Sequence, residues 1–201
     1  MEMNIKNDQY EIRPLQYEDR LLLKRWTDFE DPIFKGYNYS DIGSTEMDYW
    51  YRTKQERFRS SYFSIISPQG DLIGFFGIKE INKFLKTAKL GIVLDSKYVS
   101  QGYGKMVMKD FLRYYFEYLN LRKLYLEVNA WNERALALYQ GLGFSTYGYY
   151  YQRFENQQLD IYEEKYDQIR PYFEERFTGL YNKVYKMSLN KQEYEGGLDE
   201  N

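Results

Sequence analysis

Gly102 and Gly104 flank a single tyrosine, and a lysine follows at once, in the run Val99-Ser100-Gln101-Gly102-Tyr103-Gly104-Lys105. Glycines at this spacing let backbone N–H groups close on an anion, because a Cβ would block the approach or the backbone angle it needs. A lysine just inside the helix that follows adds positive charge, so the chemistry suggested is phosphate binding. An ordinary glycine turn before a helix is the alternative on these residues alone. The run is not a Walker motif, since Gly-x-x-x-x-Gly-Lys-Ser/Thr is missing, and no third glycine completes a dinucleotide fingerprint. A second cluster lies downstream, where Asn132-Glu133-Arg134-Ala135-Leu136-Ala137-Leu138-Tyr139 is followed by Gly141-Leu142-Gly143-Phe144. The chain has no histidine, so acid–base work near neutral pH falls to carboxylates, lysine, tyrosine or water. It has no cysteine, which removes disulfides, thiolate metal sites and a cysteine nucleophile; no metal site is expected. Tyrosine occurs 24 times, and most copies should be half-buried amphipathic rings, so any catalytic tyrosine needs a positional argument.

These residues need elements to hold them. The pattern predicts a short strand at 10–15, then a helix opened by Glu18-Asp19 with Leu22, Trp26 and Phe29 on its buried face. Thr45 and Asp48 resemble a capping box for a helix through about Phe58. Strands are expected at 62–67 and 72–80, joined by the Pro68-Gln69-Gly70-Asp71 turn, and again at 88–94. A helix over 102–118 should bury Val107, Phe111, Tyr114 and Tyr118. Residues 123–129 alternate as a strand, with Leu124, Leu126 and Val128 opposite Tyr125, Glu127 and Asn129. A helix at 132–140 and strands at 145–154 and 180–189 complete the set. Residues 155–178 hold seven acidic against three basic residues. Their aromatic spacing, broken by Pro171, predicts two short helices in an acidic insertion. The polar tail from 190 to 201 is expected to be disordered. Together these elements predict an α+β fold: one domain over 1–189, with a single mixed, mostly antiparallel sheet flanked by helices on both faces.

The length of 201 residues suits one domain with a full core, and a net charge of −2 gives no electrostatic reason to expect nucleic acid. The N-terminus shows no signal peptide and no segment is apolar enough to cross a membrane, so a cytoplasmic protein with no membrane partner is expected.

The strand at 90–94, the turn 99–105 and the run 132–144 resemble the GNAT superfamily of acyl-CoA N-acyltransferases. Asn132-x-x-Ala135-x-x-Leu138-Tyr139-x-x-x-Gly143-Phe144 is similar to the family's second core motif at each of its usual positions. Val99-x-x-Gly102-x-Gly104 matches the pyrophosphate motif at both glycines but carries Val99 where the family usually has Gln or Arg. The resemblance implies acetyl-CoA as co-substrate. Its pantetheine arm would pair with Ile92, Val93 and Leu94, and its pyrophosphate would rest on Gln101, Gly102, Tyr103, Gly104 and Lys105. Asn132 would hold the pantetheine or the loop near it, and Tyr139 would face the sulfur and protonate the departing thiolate.

An amine acceptor must also lose a proton. Glu80 and Glu127 are the candidate bases, either of which could instead be a solvated strand residue. Lys89 stands where many relatives carry an acid. The layout is similar both to ribosomal-protein-alanine acetyltransferases and, through residues 78–82 and the acidic set Asp28, Glu30, Asp31, Glu46 and Asp48, to spermidine acetyltransferases. The acceptor expected is therefore a protein N-terminal amine or a small polyamine or amino compound, with amino sugars and aminoglycosides open. A cofactor-binding regulatory module without turnover is the alternative. The acidic insertion could lid the acceptor cleft or mediate self-association, so a homodimer is left open.

Overall fold

The computed structural model describes residues 3–55 and 58–199. The chain divides into two compact units. The first runs through Phe29 and from Tyr37 to Leu124; the second takes Glu30–Gly36 and the chain from Tyr125 onward.

In the first unit five strands lie in chain order, each antiparallel to the next: β1 (Ile5–Lys6), β2 (Glu11–Pro14), β3 (Ser61–Ile66), β4 (Leu72–Asn82) and β5 (Thr87–Leu94). Successive residues of β4 point to opposite faces, and both faces are apolar. Phe75 joins a cluster with Leu23 of α1 (Asp19–Leu23), Trp26, and Met47 of α2 (Ser44–Gln55). Phe76 stacks on Phe63 and meets Phe111 of α3 (Tyr103–Arg113) at 5.3 Å between centroids. Helices therefore cover this part of the sheet on both sides, and the fold class is the α+β, mostly antiparallel one expected. A buried ion pair secures the start of α1. Asp19 receives both Arg13 guanidinium nitrogens, at 2.7 and 2.8 Å, together with Ser64 Oγ and the Gln16 N–H. Burial alone would push the Asp19 carboxyl up, but these four donors outweigh it and hold the group below its ordinary value.

Three local expectations change. α1 stops at Leu23, because Trp26 Nε1 donates to the Leu72 carbonyl at 2.7 Å and draws the chain out of the helix; Leu23 rather than Leu22 is fully buried. α2 is capped by Glu46 accepting the Gly43 N–H at 3.1 Å, not by Thr45 and Asp48, and Asp48 pairs with Arg20. α3 gives way to a π-helical turn at Tyr114–Tyr118, closed by the Leu119 N–H on the Tyr114 carbonyl. A wider turn rotates the apolar face. Tyr115 and Phe116 are buried instead, and Tyr118 is 79% exposed.

The unit boundary falls within β6 (Lys123–Asn129). The second unit adds α4 (Glu133–Gln140), β7 (Ser145–Arg153), β8 (Phe173–Arg176), β9 (Gly179–Asn190) and α5 (Lys191–Asp199), with the order β6-β9-β7 and with β7 and β8 antiparallel to β9. The insertion is less helical than its spacing suggested: two 3-10 turns, Glu164–Tyr166 and Arg170–Tyr172, lead into β8. Tyr166 and Phe173 are buried, whereas Phe177 at the β8–β9 turn is fully exposed. The tail expected to be disordered begins with helix α5. Asn190 accepts the Glu193 N–H at 2.9 Å and Glu193 accepts the Asn190 N–H at 2.8 Å, a reciprocal capping box that the composition masked.

Candidate active site

The first unit contributes β5 and the turn after it. Phe75, Phe76 and Gly74 of β4 lie opposite Val93, Ile92 and Leu94, and all three β5 residues are half-buried. Asp95 ends the strand. Its buried carboxylate accepts the Lys97 N–H at 3.0 Å and the Thr27 N–H at 3.1 Å, and burial pushes its pKa up. Sequence reasoning missed Asp95, whose single position carried no pattern. It fixes the 3-10 turn Ser96–Tyr98 that sends the chain toward the glycines. Tyr98 packs edge-on against Tyr103 at 5.5 Å and donates to Asp71.

In the glycine turn Ser100 and Gly102 both take the left-handed conformation, at φ 62° and 87°. Gly102 is the N-cap of α3 and uses no side chain as a cap. The first bond inside the helix runs from the Met106 N–H to the Gly102 carbonyl, so the N–H groups of Tyr103, Gly104 and Lys105 precede the ladder. A Cβ at Gly102 would meet nothing within 4 Å: it would stand in the open mouth of the turn. Gln101 and Lys105 are exposed beside it. Of the two glycines, Gly102 carries the backbone requirement, and Gly104 has ordinary helical sign. The turn thus presents backbone donors at the positive end of an eleven-residue helix, a geometry that can receive an anion.

The second unit contributes β6 and α4. Asn132 is the N-cap of α4, its Oδ1 accepting the Ala135 N–H at 3.1 Å. Tyr139 lies in the last turn of the helix, 8% exposed, with its ring 5.9 Å from that of Phe144. The Gly141-Leu142-Gly143-Phe144 turn folds back under it. The Phe144 N–H bonds to the Tyr139 carbonyl at 3.0 Å, and Gly143 sits at φ 89° with Leu189 Cδ1 3.3 Å from where a Cβ would lie. The positive φ favours glycine there, and a Cβ would also press on Leu189.

The two candidate bases differ. Glu127 lies on the expected face of β6 and accepts the Tyr150 hydroxyl at 3.0 Å. Burial and then the hydrogen bond to Glu127 push the Tyr150 phenol up to about 12, so that hydroxyl stays a donor. Glu80 stands in a bulge of β4 at φ 54°, its side chain 74% exposed and 3.9 Å from Lys89. Lys89 thus lies within ion-pair distance of Glu80.

The acidic set is mostly engaged. Asp28 accepts the Ser40 hydroxyl, Asp48 and Glu46 serve α1 and α2, and Asp31 accepts the Tyr166 hydroxyl and the Ile33 N–H. In the second unit the insertion clasps segment 30–36. Asn156 Nδ2 donates to the Pro32 carbonyl at 3.1 Å, and Trp131 meets Phe34 edge-on at 5.2 Å. Glu155 packs so closely on Gly36 that a Cβ there would collide with it, and burial pushes the Glu155 carboxyl up. Glu30 is exposed. The contacts of Asn156, Tyr166 and Glu155 with segment 30–36 join residues more than a hundred positions apart, which single-sequence spacing could not reveal.

Comparisons with known proteins agree with this layout. The model of the acetyltransferase (GNAT) family matches residues 21–144. The spermidine N(1)-acetyltransferase of Escherichia coli (strain K12) is 29% identical over 147 residues, covering 68% of this chain and 73% of that protein. The spermidine N(1)-acetyltransferase of Vibrio cholerae serotype O1 is 28% identical over 122 residues, covering 54% and 70%. Among solved structures, spermidine N-acetyltransferase from Vibrio cholerae in complex with CoA and spermine is similar in fold, with a TM-score of 0.68 at 22% identity over 94% of this chain and 99% of that one. The family match spans more than half of the sequence and takes in the glycine turn, Asn132 and Tyr139: the protein belongs to the acetyltransferase (GNAT) family and is an N-acetyltransferase.

Proposed function

We propose that the protein transfers the acetyl group of acetyl-CoA to a primary amine of a polyamine such as spermidine, by direct attack of the amine on the thioester. The observation that carries the acceptor is the likeness to spermidine N(1)-acetyltransferases over two thirds of the chain. The fit of the donor rests on the Gly102 cradle, whose open mouth and unladdered N–H groups suit a pyrophosphate. Ile92, Val93 and Leu94 offer a strand backbone to the pantetheine, and Gln101, Tyr103, Gly104 and Lys105 complete the anion site. Acetyl-CoA supplies the activated acyl group.

A strand N–H near Val93 or Leu94 stabilises the oxyanion that forms as the amine adds. Tyr139, buried and held by Phe144, gives its phenolic proton to the departing thiolate. Glu127 takes the amine proton, directly or through water, with Tyr150 fixing its carboxylate. Glu80 is the weaker candidate because Lys89 pairs with it. Asn132 acts first as the cap that aims α4, and so Tyr139.

The test is CoA release with a panel of spermidine, a peptide with a free N-terminal alanine, and an aminoglycoside. A kcat/KM for spermidine at least tenfold above the other two supports this reading. Preference for the peptide overturns the acceptor. Tight acetyl-CoA binding without turnover of any amine favours the cofactor-binding module.

A further inference from the structure

A cavity of about 990 Å³ opens at one end of the first unit. Three connections meet there: Phe58–Ser60 between α2 and β3, the β4–β5 hairpin at 81–86, and residues 119–121 after the π-helical turn. Its floor is apolar, with Ile81 and Leu121 buried. Its walls carry Arg59, Lys83 and Lys86, and no carboxylate is among the described lining residues. Among the described residues, Lys83 and Lys86 enter no ion pair. Phe58 and Phe84 stand at the rim 86% and 93% exposed, which is unusual for phenyl rings.

The backbone is unusual at the same place. Five described non-glycine residues have positive φ, and four belong to this end: Arg59 at 60°, Lys86 at 56° and Asn120 at 50° line the cavity, and Glu80 at 54° lines the adjoining recess. The fifth, Ser100, lies in the glycine turn. L side chains rarely adopt this conformation, and such residues gather where a site demands a fixed shape. Neighbouring bonds hold them there. The Ile81 N–H reaches the Arg59 carbonyl at 3.0 Å, and the Arg122 N–H reaches the Lys86 carbonyl at 2.7 Å. The cavity is distinct from the glycine turn. α3 begins at the turn and the π-helical segment ends beside the cavity, a run of about 24 Å at ~1.5 Å per residue.

We propose that this cavity binds an amphipathic organic anion. An apolar chain or ring packs on Ile81, Leu119 and Leu121 beneath the Phe58 and Phe84 rings, and Arg59, Lys83 and Lys86 hold its carboxylate or phosphate. A volume of this size suits a small organic ligand, and three cations facing an apolar floor select one charged end and one greasy end.

Calorimetric titration of the full chain with octanoate tests the proposal. Octanoate should bind at one site. Lys83→Glu/Lys86→Glu should weaken it by about tenfold or more, while Lys83→Arg/Lys86→Arg stays within about twofold of the wild type. Octanol, equal in apolar body but uncharged, should bind at least about tenfold more weakly than octanoate. Gly102→Ala should leave octanoate binding unchanged. No octanoate binding at millimolar concentration, indifference to charge reversal, or equal binding of octanol would each overturn the proposal. Loss of binding in Gly102→Ala would place the anion in the glycine turn and overturn it as well. Equal melting temperatures of the lysine variants and the wild type establish that folding is not the cause.

Discussion

Gly102 and Gly70 offer a matched pair. Both sit at φ 87°, and a Cβ at either meets nothing within 4 Å. Gly70 belongs to the β3–β4 turn, where its N–H bonds to the Ser67 carbonyl at 2.9 Å. Alanine at either position carries the same left-handed backbone cost, about 1–2 kcal/mol, with no steric term. For a chain of this length that is a fall in Tm of roughly 2–8 °C, and it should be alike in Gly70→Ala and Gly102→Ala. The kinetics should separate them. At Gly102 the added methyl stands in the mouth of the cradle, and relaxing the strained φ re-aims the N–H groups of Tyr103 and Gly104. Loss of about 1.4 kcal/mol of anion binding raises the acetyl-CoA KM about tenfold. Gly70→Ala should leave that KM unchanged, and the acceptor KM should stay put in both. Melting curves with initial rates at varied acetyl-CoA decide it. Equal Tm losses with an unaltered acetyl-CoA KM in Gly102→Ala would refute the cradle.

Arg13→Ala strips a buried carboxylate of its cation and should cost about 3 kcal/mol at pH 7 in urea unfolding. Because the Asp19 pKa is depressed in the folded protein, the stability it supplies is present above pH ~4 and lost as pH falls through its lower folded value, so the gap between variant and wild type should narrow in acid. Asn132→Ala should lose about 1 kcal/mol of stability with the cap, and Asn132→Asp should restore it, so any activity deficit left in the aspartate variant measures the amide's part in binding the donor. Tyr166→Phe removes the hydroxyl bonded to Asp31 and loosens segment 30–36; the spermidine KM should rise several-fold with the acetyl-CoA KM unchanged, and a rise in the latter alone would argue against an acceptor-side role for the insertion.

The readable parts of this chain were those whose physics is local. Alternation gave β6, and the Pro68–Asp71 turn chemistry joined β3 to β4. The Asn132–Phe144 motif placed a cap, a helix and a glycine turn that the structure shows as Asn132, α4 and Gly143. Several of the misread parts had a distant partner. α1 ends early because Trp26 reaches Leu72, and Asp48 leaves its cap for Arg20. The insertion's aromatic spacing looked helical, yet Tyr166 and Asn156 are spent on Asp31 and Pro32. The π-helical turn is invisible to a search for a 3.6-residue period. Among the candidate site residues, the strand, the glycine turn and Tyr139 carried their own signal, whereas Asp95 and Tyr150 enter only through contacts.

The central claim is that Tyr139 is the proton donor of an amine acetylation. The direct test is CoA release from acetyl-CoA and spermidine by the wild type and Tyr139→Phe. A fall in kcat of about 10²–10⁴-fold, with both KM values and the melting temperature unchanged, is the predicted result. A kcat within twofold of the wild type would contradict the assignment of Tyr139.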